Sequence, residues 1–201
     1  MTGKAVVSER GIEIALTMEA SAQDLDKYRL EGSMEIMGMK ENVLLVINGD
    51  KGWAKTRNRV ENAPEGEFAP IKSIFHALRL AQLLVPLKDK AYKLTSLKEV
   101  KVGDKPAVGI KVTRKGFADV DLYFDKKTHL PVRCTLLIKE PHGNMAEVPY
   151  EFLFKEPKKI SGIMHFTKMT VNRDGKKAFD LEVSAVRPEK KLDKKLFMKP
   201  E

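Results

Sequence analysis

Residues 121–134 read DLYFDKKTHLPVRC. Leu122 and Phe124 alternate with Asp121 and Tyr123, and Val132 and Cys134 resume the alternation after the charged stretch Asp125-Lys-Lys-Thr-His129. Two period-two runs around a polar, turn-forming centre specify a β-hairpin. His129 suits that turn, because histidine is among the few non-glycine residues that tolerate the left-handed backbone region. Cys134 is in phase with Val132, Leu136 and Ile138, which predicts a buried structural thiol rather than a nucleophile. It is the one cysteine, so an internal disulfide is excluded.

The same alternation recurs along the chain. Ile12, Ile14, Leu16 and Met18 share one face, then Tyr28, Leu30, Met34 and Ile36, then Val43, Leu45 and Ile47. Later runs are Val108–Val112, Val120–Phe124, Val148–Phe154, Ile163–Met169 and Phe179–Ala185. Turn chemistry separates them at Asn48-Gly49-Asp50-Lys51-Gly52, Gly103-Asp104-Lys105, Lys115-Gly116, Pro141-His142-Gly143-Asn144 and Arg173-Asp174-Gly175-Lys176. Strands joined by short turns pair antiparallel. About ten in succession predict one large curved sheet, which must curl, split or close. The fold class is mainly β with an α+β character, in a single domain spanning residues 1–201. A chain of this length buries roughly 70% of its unfolded surface.

One strong helix is written into Glu67–Val85. Phe68, Ile71, Ile74, Phe75, Leu78, Leu80, Leu83 and Leu84 run nearly all round it, leaving a narrow polar stripe of Lys72, His76 and Arg79. So wide an apolar face is buried. Pro70 places the start of the regular helix near itself, and Pro86 places its end. Lys98–Val102 opens the second strand group, so the helix separates two groups of strands and is suited to plug the concave sheet.

The net charge of +9 is spread over lysines interleaved with Asp and Glu, and is dense only at Arg187–Lys191 and Asp193–Lys195. This reads as solvated strand faces, compatible with peripheral contact with an anionic membrane. No run approaches the ~18 apolar residues of a membrane-spanning helix, and MTGKAVVSER has no apolar core of a signal peptide. His76, His129, His142 and His165 show no metal-ligand spacing. No serine has a nucleophile-elbow context. Asp119, Asp121 and Asp125 read as the outward face of a strand. No phosphate loop or nucleic-acid motif occurs. No cofactor is expected. His165 shares a strand face with Ile163 and Met169, as a core or cavity histidine would.

What remains is apolar lining. Met34, Met37 and Met39 cluster around Gly38, with Met18, Met164 and Met169 in other strands. Methionine recurs on surfaces that accommodate varied apolar ligands, and a curved sheet under an apolar helix is a natural pocket. Met34, Ile36, Leu45 and Trp53 are the expected lining from the first strand group, and Leu122, Phe124 and Phe152 from the second. Ile74, Phe75 and Leu78 are expected from the helix. These faces rest on alternation, so a slip of one residue would exchange them for their complement.

Several motifs, in order, resemble the LolA/LolB-like superfamily of bacterial outer-membrane lipoprotein carriers and sorting proteins. Leu122–Val132 is similar to its strand–turn–strand, with His129 at the common glycine. Lys27-Tyr28-Arg29-Leu30 looks like its Phe-Arg-Trp strand, and Val46–Trp53 like its next hairpin. Leu192–Phe197 followed by Pro200 looks like its C-terminal signature. The matches span residues 27–200. The Arg-Pro that precedes the Phe-Arg-Trp strand in those carriers, and whose arginine fastens the lid, is replaced by Gln23-Asp24-Leu25-Asp26. The resemblance implies an incomplete, half β-barrel covered by a main helix and short helical turns. It implies a monomeric, non-enzymatic protein of the periplasm or cell envelope that binds an acyl chain of a lipid or lipoprotein, its export signal removed. Two other readings stay open. One is a structural or protein-interaction module with a filled core and no ligand. The other is an enzyme, which would need polar groups of perturbed pKa facing the cavity, such as His165 near an acid.

Overall fold

A computed structural model describes residues 1–9, 12–36, 39–57, 59–140 and 146–201. Six strands precede the helix: β1 (Thr2–Glu9), β2 (Ile12–Gln23), β3 (Lys27–Ile36), β4 (Met39–Asn48), β5 (Lys51–Thr56) and β6 (Arg59–Ala63). Helix α1 covers Glu65–Gln82. Seven strands follow: β7 (Lys93–Val102), β8 (Lys105–Thr113), β9 (Val120–Asp125), β10 (Pro131–Lys139), β11 (Glu147–Ile160), β12 (Ile163–Arg173) and β13 (Lys176–Ala185). All thirteen form one antiparallel sheet in the order β6-β5-β4-β3-β2-β1-β13-β12-β11-β10-β9-β8-β7. The sheet is open, with β6 and β7 as its edges.

That order is a simple path. The chain walks strand by strand from the centre to one edge, crosses on α1 to the other edge, and walks back. It finishes at the centre, where β13 pairs with β1 from Thr2↔Ala185 to Val7↔Phe179. Local alternation predicts most of these strands. It misses β1 and β6, whose apolar residues are few, and it starts β7 at Lys98 rather than Lys93. The expected turn at Pro141–Asn144, the residues Met37 and Gly38, and the side chains of Ile12, Ile36 and Met39 lie outside what is described.

The helix departs from its expected start. Pro70 lies five residues after the first helical residue, Glu65, not at the start. Lacking an N–H, it deprives the Gly66 carbonyl of the usual donor four residues on. The first turn closes by Phe68 N–H to the Pro64 carbonyl at 3.3 Å. The packing of α1 onto the sheet outweighs the local penalty. At its other end Leu83 turns extended, and its N–H still reaches the Arg79 carbonyl at 2.8 Å. Pro86 sits beyond, in a 3-10 turn at Val85–Lys88.

Two apolar clusters form where α1 meets the concave face. Tyr28, Leu45, Ile47 and Phe68 make the smaller, with Ile71 and Phe75 against it. Ala77, Leu80 and Ala81 of the helix join Val112, Val120, Leu122, Cys134, Leu136, Phe152, Phe154 and Phe166 in the larger. The Phe68 ring lies directly on Gly52: a Cβ there would stand 2.4 Å from the Phe68 Cδ1. Gly52 is thus a strand residue, paired with Ile47 and Ala63, rather than part of the turn. The β9–β10 turn is held by Asp125, whose Oδ1 accepts from Lys127 N–H (2.9 Å), Thr128 N–H (2.7 Å) and Thr128 Oγ1 (3.0 Å). His129 there has φ 57°. A 3-10 turn at Lys194–Phe197 buries Phe197 against β3 and β4, tied by Asn48 Nδ2 to the Phe197 carbonyl at 3.1 Å.

The Phe68–Gly52 contact makes a specific energetic claim. Gly52→Ala forces the ring aside and lowers stability by about 1–3 kcal/mol, the usual range for overpacking, read as a reduced urea midpoint. Adding Phe68→Leu recovers part of that loss, so the double variant costs less than the two single changes together. Simple additivity would show that this contact does not seat the helix.

Candidate ligand cavity

Between the two clusters lies a partly open cavity of about 260 Å³. Its roof is the C-terminal half of α1, through Phe75, Leu78, Arg79, Gln82 and Leu83. Its floor is the middle of the sheet: Ala20 and Ala22 of β2, Tyr28 of β3, Phe154 of β11, His165 and Met169 of β12, and Leu181 and Val183 of β13. The segment Val186–Glu189 with Leu192 forms the rim. The space exists because the strands meeting at the centre carry small residues. Gly3 and Ala5 of β1 pair with Val183 and Leu181, and Ala20 and Ala22 pair with Leu30 and Tyr28. Helix and sheet therefore touch at both flanks and stand apart at the seam.

The walls are firm. Tyr28 stacks on Phe75 with ring centroids 5.0 Å apart, and its hydroxyl donates to the Leu25 carbonyl at 2.6 Å. Phe154 stacks on Phe166 at 4.8 Å. Two basic side chains interrupt this apolar lining. His165 is 8% exposed, and its Nε2 is buried with no hydrogen-bond partner among the described residues. Arg79 is half-buried, and its Nε is likewise buried and unpartnered. Burial is the main cause that lowers the pKa of both, and the Arg79 charge lowers His165 further. His165 and its neighbour Phe166 are both buried, a break in strict alternation where they pair with Lys158 and Pro157, just after Glu156, at which β11 takes φ 51°.

Of the residues expected to line a cavity, the structure brings Phe75 and Leu78 to this one. Leu45 is in the smaller core cluster, and Leu122 and Phe152 are in the larger, with Ile74 and Phe124 packed against it. Met34 is in phase with Tyr28 and Leu30 but pairs with Leu16, further along β3 than the cavity. Trp53 pairs with Val46, one residue out of phase with Gly52, and so faces away from the helix. The Ile36 side chain is outside what is described. Arg79 and Ala22 were missed: an arginine in a helical polar stripe and an alanine in a strand carry no local sign of a cavity. His165, read from alternation as a core or cavity histidine, lines this space.

A larger concavity, about 990 Å³, opens beside β10 and β11. Two ion pairs cross it, Lys111 with Asp121 at 2.8 Å and Arg133 with Glu151 at 2.7 Å, and Asp119 also lines it. Among the described residues no group of three His, Cys, Asp or Glu side chains is placed to hold a metal. No described helix is long and apolar enough to cross a membrane. Cys134 is fully buried, and burial raises its thiol pKa.

No family model and no curated protein matches the chain. Solved structures do. A domain named as an outer-membrane lipoprotein-sorting protein from Vibrio parahaemolyticus aligns with a TM-score of 0.63 at 13% identity, covering 98% of this chain and 87% of that one. A LolA superfamily protein from Nitrosomonas europaea gives 0.61 at 12%, covering 98% and 90%. A DUF1329 family protein from Desulfovibrio piger gives 0.57 at 15%, covering 98% and 88%. The open antiparallel sheet with its crossing helix is thus a LolA-like fold, as the resemblance in sequence implied.

The other flank of α1 carries a titrating group. His76 is 1% exposed, stacked on Phe117 at 3.9 Å, with the Tyr92 hydroxyl 3.4 Å from Nε2 and Nδ1 unpartnered. Burial first, then the charges of Arg114 and Lys72, hold its pKa down to about 4. The unfolded chain therefore takes up this proton first, near pH 6.5. Stability is full above that pH and is lost as pH falls toward 4, by up to about 3 kcal/mol. His165 adds a loss of the same sign. The melting temperature of His76→Phe should consequently fall less than wild type between pH 7 and 4.5. Parallel pH profiles would refute the role of His76.

Proposed function

We propose that this protein is a non-enzymatic component of the cell envelope that holds an acyl chain of a lipid or lipoprotein between α1 and the seam of the sheet. The observation that carries this reading is the partly open, mostly apolar cavity at that interface, in a fold shared with proteins named for lipoprotein sorting. Its volume lies just below the ~300–1,000 Å³ usual for ligand pockets, which favours one chain over several. Each methylene buried there contributes about 0.8 kcal/mol before ordering costs. The alternative of a filled core and a docking role is disfavoured by the same cavity.

Native mass spectrometry of the gently purified protein, with lipid analysis of an organic extract, should reveal a stoichiometric single-chain or acylated ligand. Leu78→Trp fills the cavity from the helix side. It should weaken binding of added fatty acid by at least about tenfold while the circular dichroism spectrum is retained. Unchanged binding would exclude α1 as the roof of the site. Failure of wild type to bind any fatty acid or lipopeptide would favour the filled-core module.

A further inference from the structure

The polar stripe of α1 gives more than a lining. Lys72, His76 and Arg79 lie one turn apart on one face. Lys72, 13% exposed in its side chain, pairs with Asp50 at 3.2 Å. His76 meets the Tyr92 hydroxyl. Arg79, which reaches the cavity, has no carboxylate within ion-pair distance among the described residues, and its Nε is buried without a partner. Asp24, whose charge it senses, is already bound to Lys27 at 2.9 Å.

We propose that the cavity receives a single-chain amphiphile with an anionic oxo head, carboxylate or phosphate, and that Arg79 and His165 bind that head. This deepens the reading of an acyl-chain site and rests on it. The Arg79 guanidinium is half-buried, with Nε out of water and no carboxylate beside it, and a guanidinium that gains a carboxylate or phosphate forms strong, often bidentate hydrogen bonds. His165 Nε2, buried in the same cavity without a partner, supplies a second polar contact whose role follows its tautomer. Glu189 is the one carboxylate among the lining residues, and it is exposed at the rim beside Arg187. The interior therefore holds unmatched positive charge and hydrogen-bonding capacity next to an apolar wall of Phe75, Leu78, Phe154 and Leu181. A neutral hydrocarbon would leave the buried Arg79 and His165 nitrogens unsatisfied. An amphiphile with an acidic head satisfies both.

The test compares three probes of equal chain length, decanoate, decyl phosphate and decanol, by titration calorimetry on the intact protein. At least one anion should bind wild type about tenfold or more tighter than decanol, and whichever anion is tighter identifies the head. In Arg79→Gln the ratio of anion to decanol affinity should fall to about one, and retention of the wild-type ratio would overturn the role of Arg79. Arg79→Lys should keep part of the preference, which separates loss of charge from loss of fold. Decanol binding as tightly as both anions to wild type would overturn this inference and leave the apolar site standing. Binding of none of the three would overturn both. The wild-type comparison decides whether the cavity prefers an anionic head even if Arg79→Gln fails to fold, and Arg79→Lys then tests Arg79.

Discussion

One covalent constraint organises this structure: α1 must join the two opposite edges of a thirteen-stranded sheet. β6 and β7 are those edges, and the chain between them is an 18-residue helix and a short 3-10 turn. At 1.5 Å per residue the helix spans about 27 Å. It can connect the edges only by crossing one face, and the sheet must curve around it. Because the helix fills the concavity, β6 and β7 remain open edges. Both are guarded by charge, Arg59 and Glu61 on β6 and Lys93, Lys98, Glu99 and Lys101 on β7, which discourages pairing with another chain.

The seam opposite that crossing is the least local part of the fold. β1 finds β13 across nearly the whole chain, with Gly3 opposite Val183 and Ala5 opposite Leu181. Such long-range pairing forms slowly relative to hairpins. Small residues serve this seam in two ways. Gly3 admits the Glu182 carbonyl and the Leu181 side chain, about 3 Å from where a Cβ would stand. Ala20 and Ala22 beside it keep the floor low, so that a helix seated on both flanks leaves space at the centre. The cavity is thus a by-product of where large side chains are placed, not of a lid hinged over an opening.

Much of this is legible in the residues. The Asp125–His129 turn announces itself, since an Asx-type acceptor and a residue tolerant of the left-handed region stand where the hairpin needs them. The apolar surround of α1 announces its burial. Cys134 falls in the core, as its phase implies. Trp53 is different: its phase depends on whether Gly52 belongs to the turn or the strand, and that is decided by Phe68, fifteen residues downstream. β1 is faint because only Ala5, Val6 and Val7 suggest a strand, and its pairing partners lie at the far end of the sequence. The cavity is fainter still. Its walls come from six elements that period-two and helical patterns describe one at a time, and the gap between them appears only once the seam is closed.

The fold alone fixes little about ligand chemistry, since one architecture serves many functions. What distinguishes one member from another is the set of polar groups inside. Here the three polar residues of the helical stripe sit in three different environments. Lys72 is matched by an acid at the surface, His76 is enclosed by Tyr92 and Phe117, and Arg79 faces the void. A helix whose only role was to plug a barrel would gain from leucine or methionine at the third position, because the buried, unpartnered Nε of a half-buried arginine is penalised and apolar replacement relieves it. In the proposed reading, Arg79 is explained by the anionic head it would bind rather than by what it packs against, and so is His165 on the strand that forms the floor.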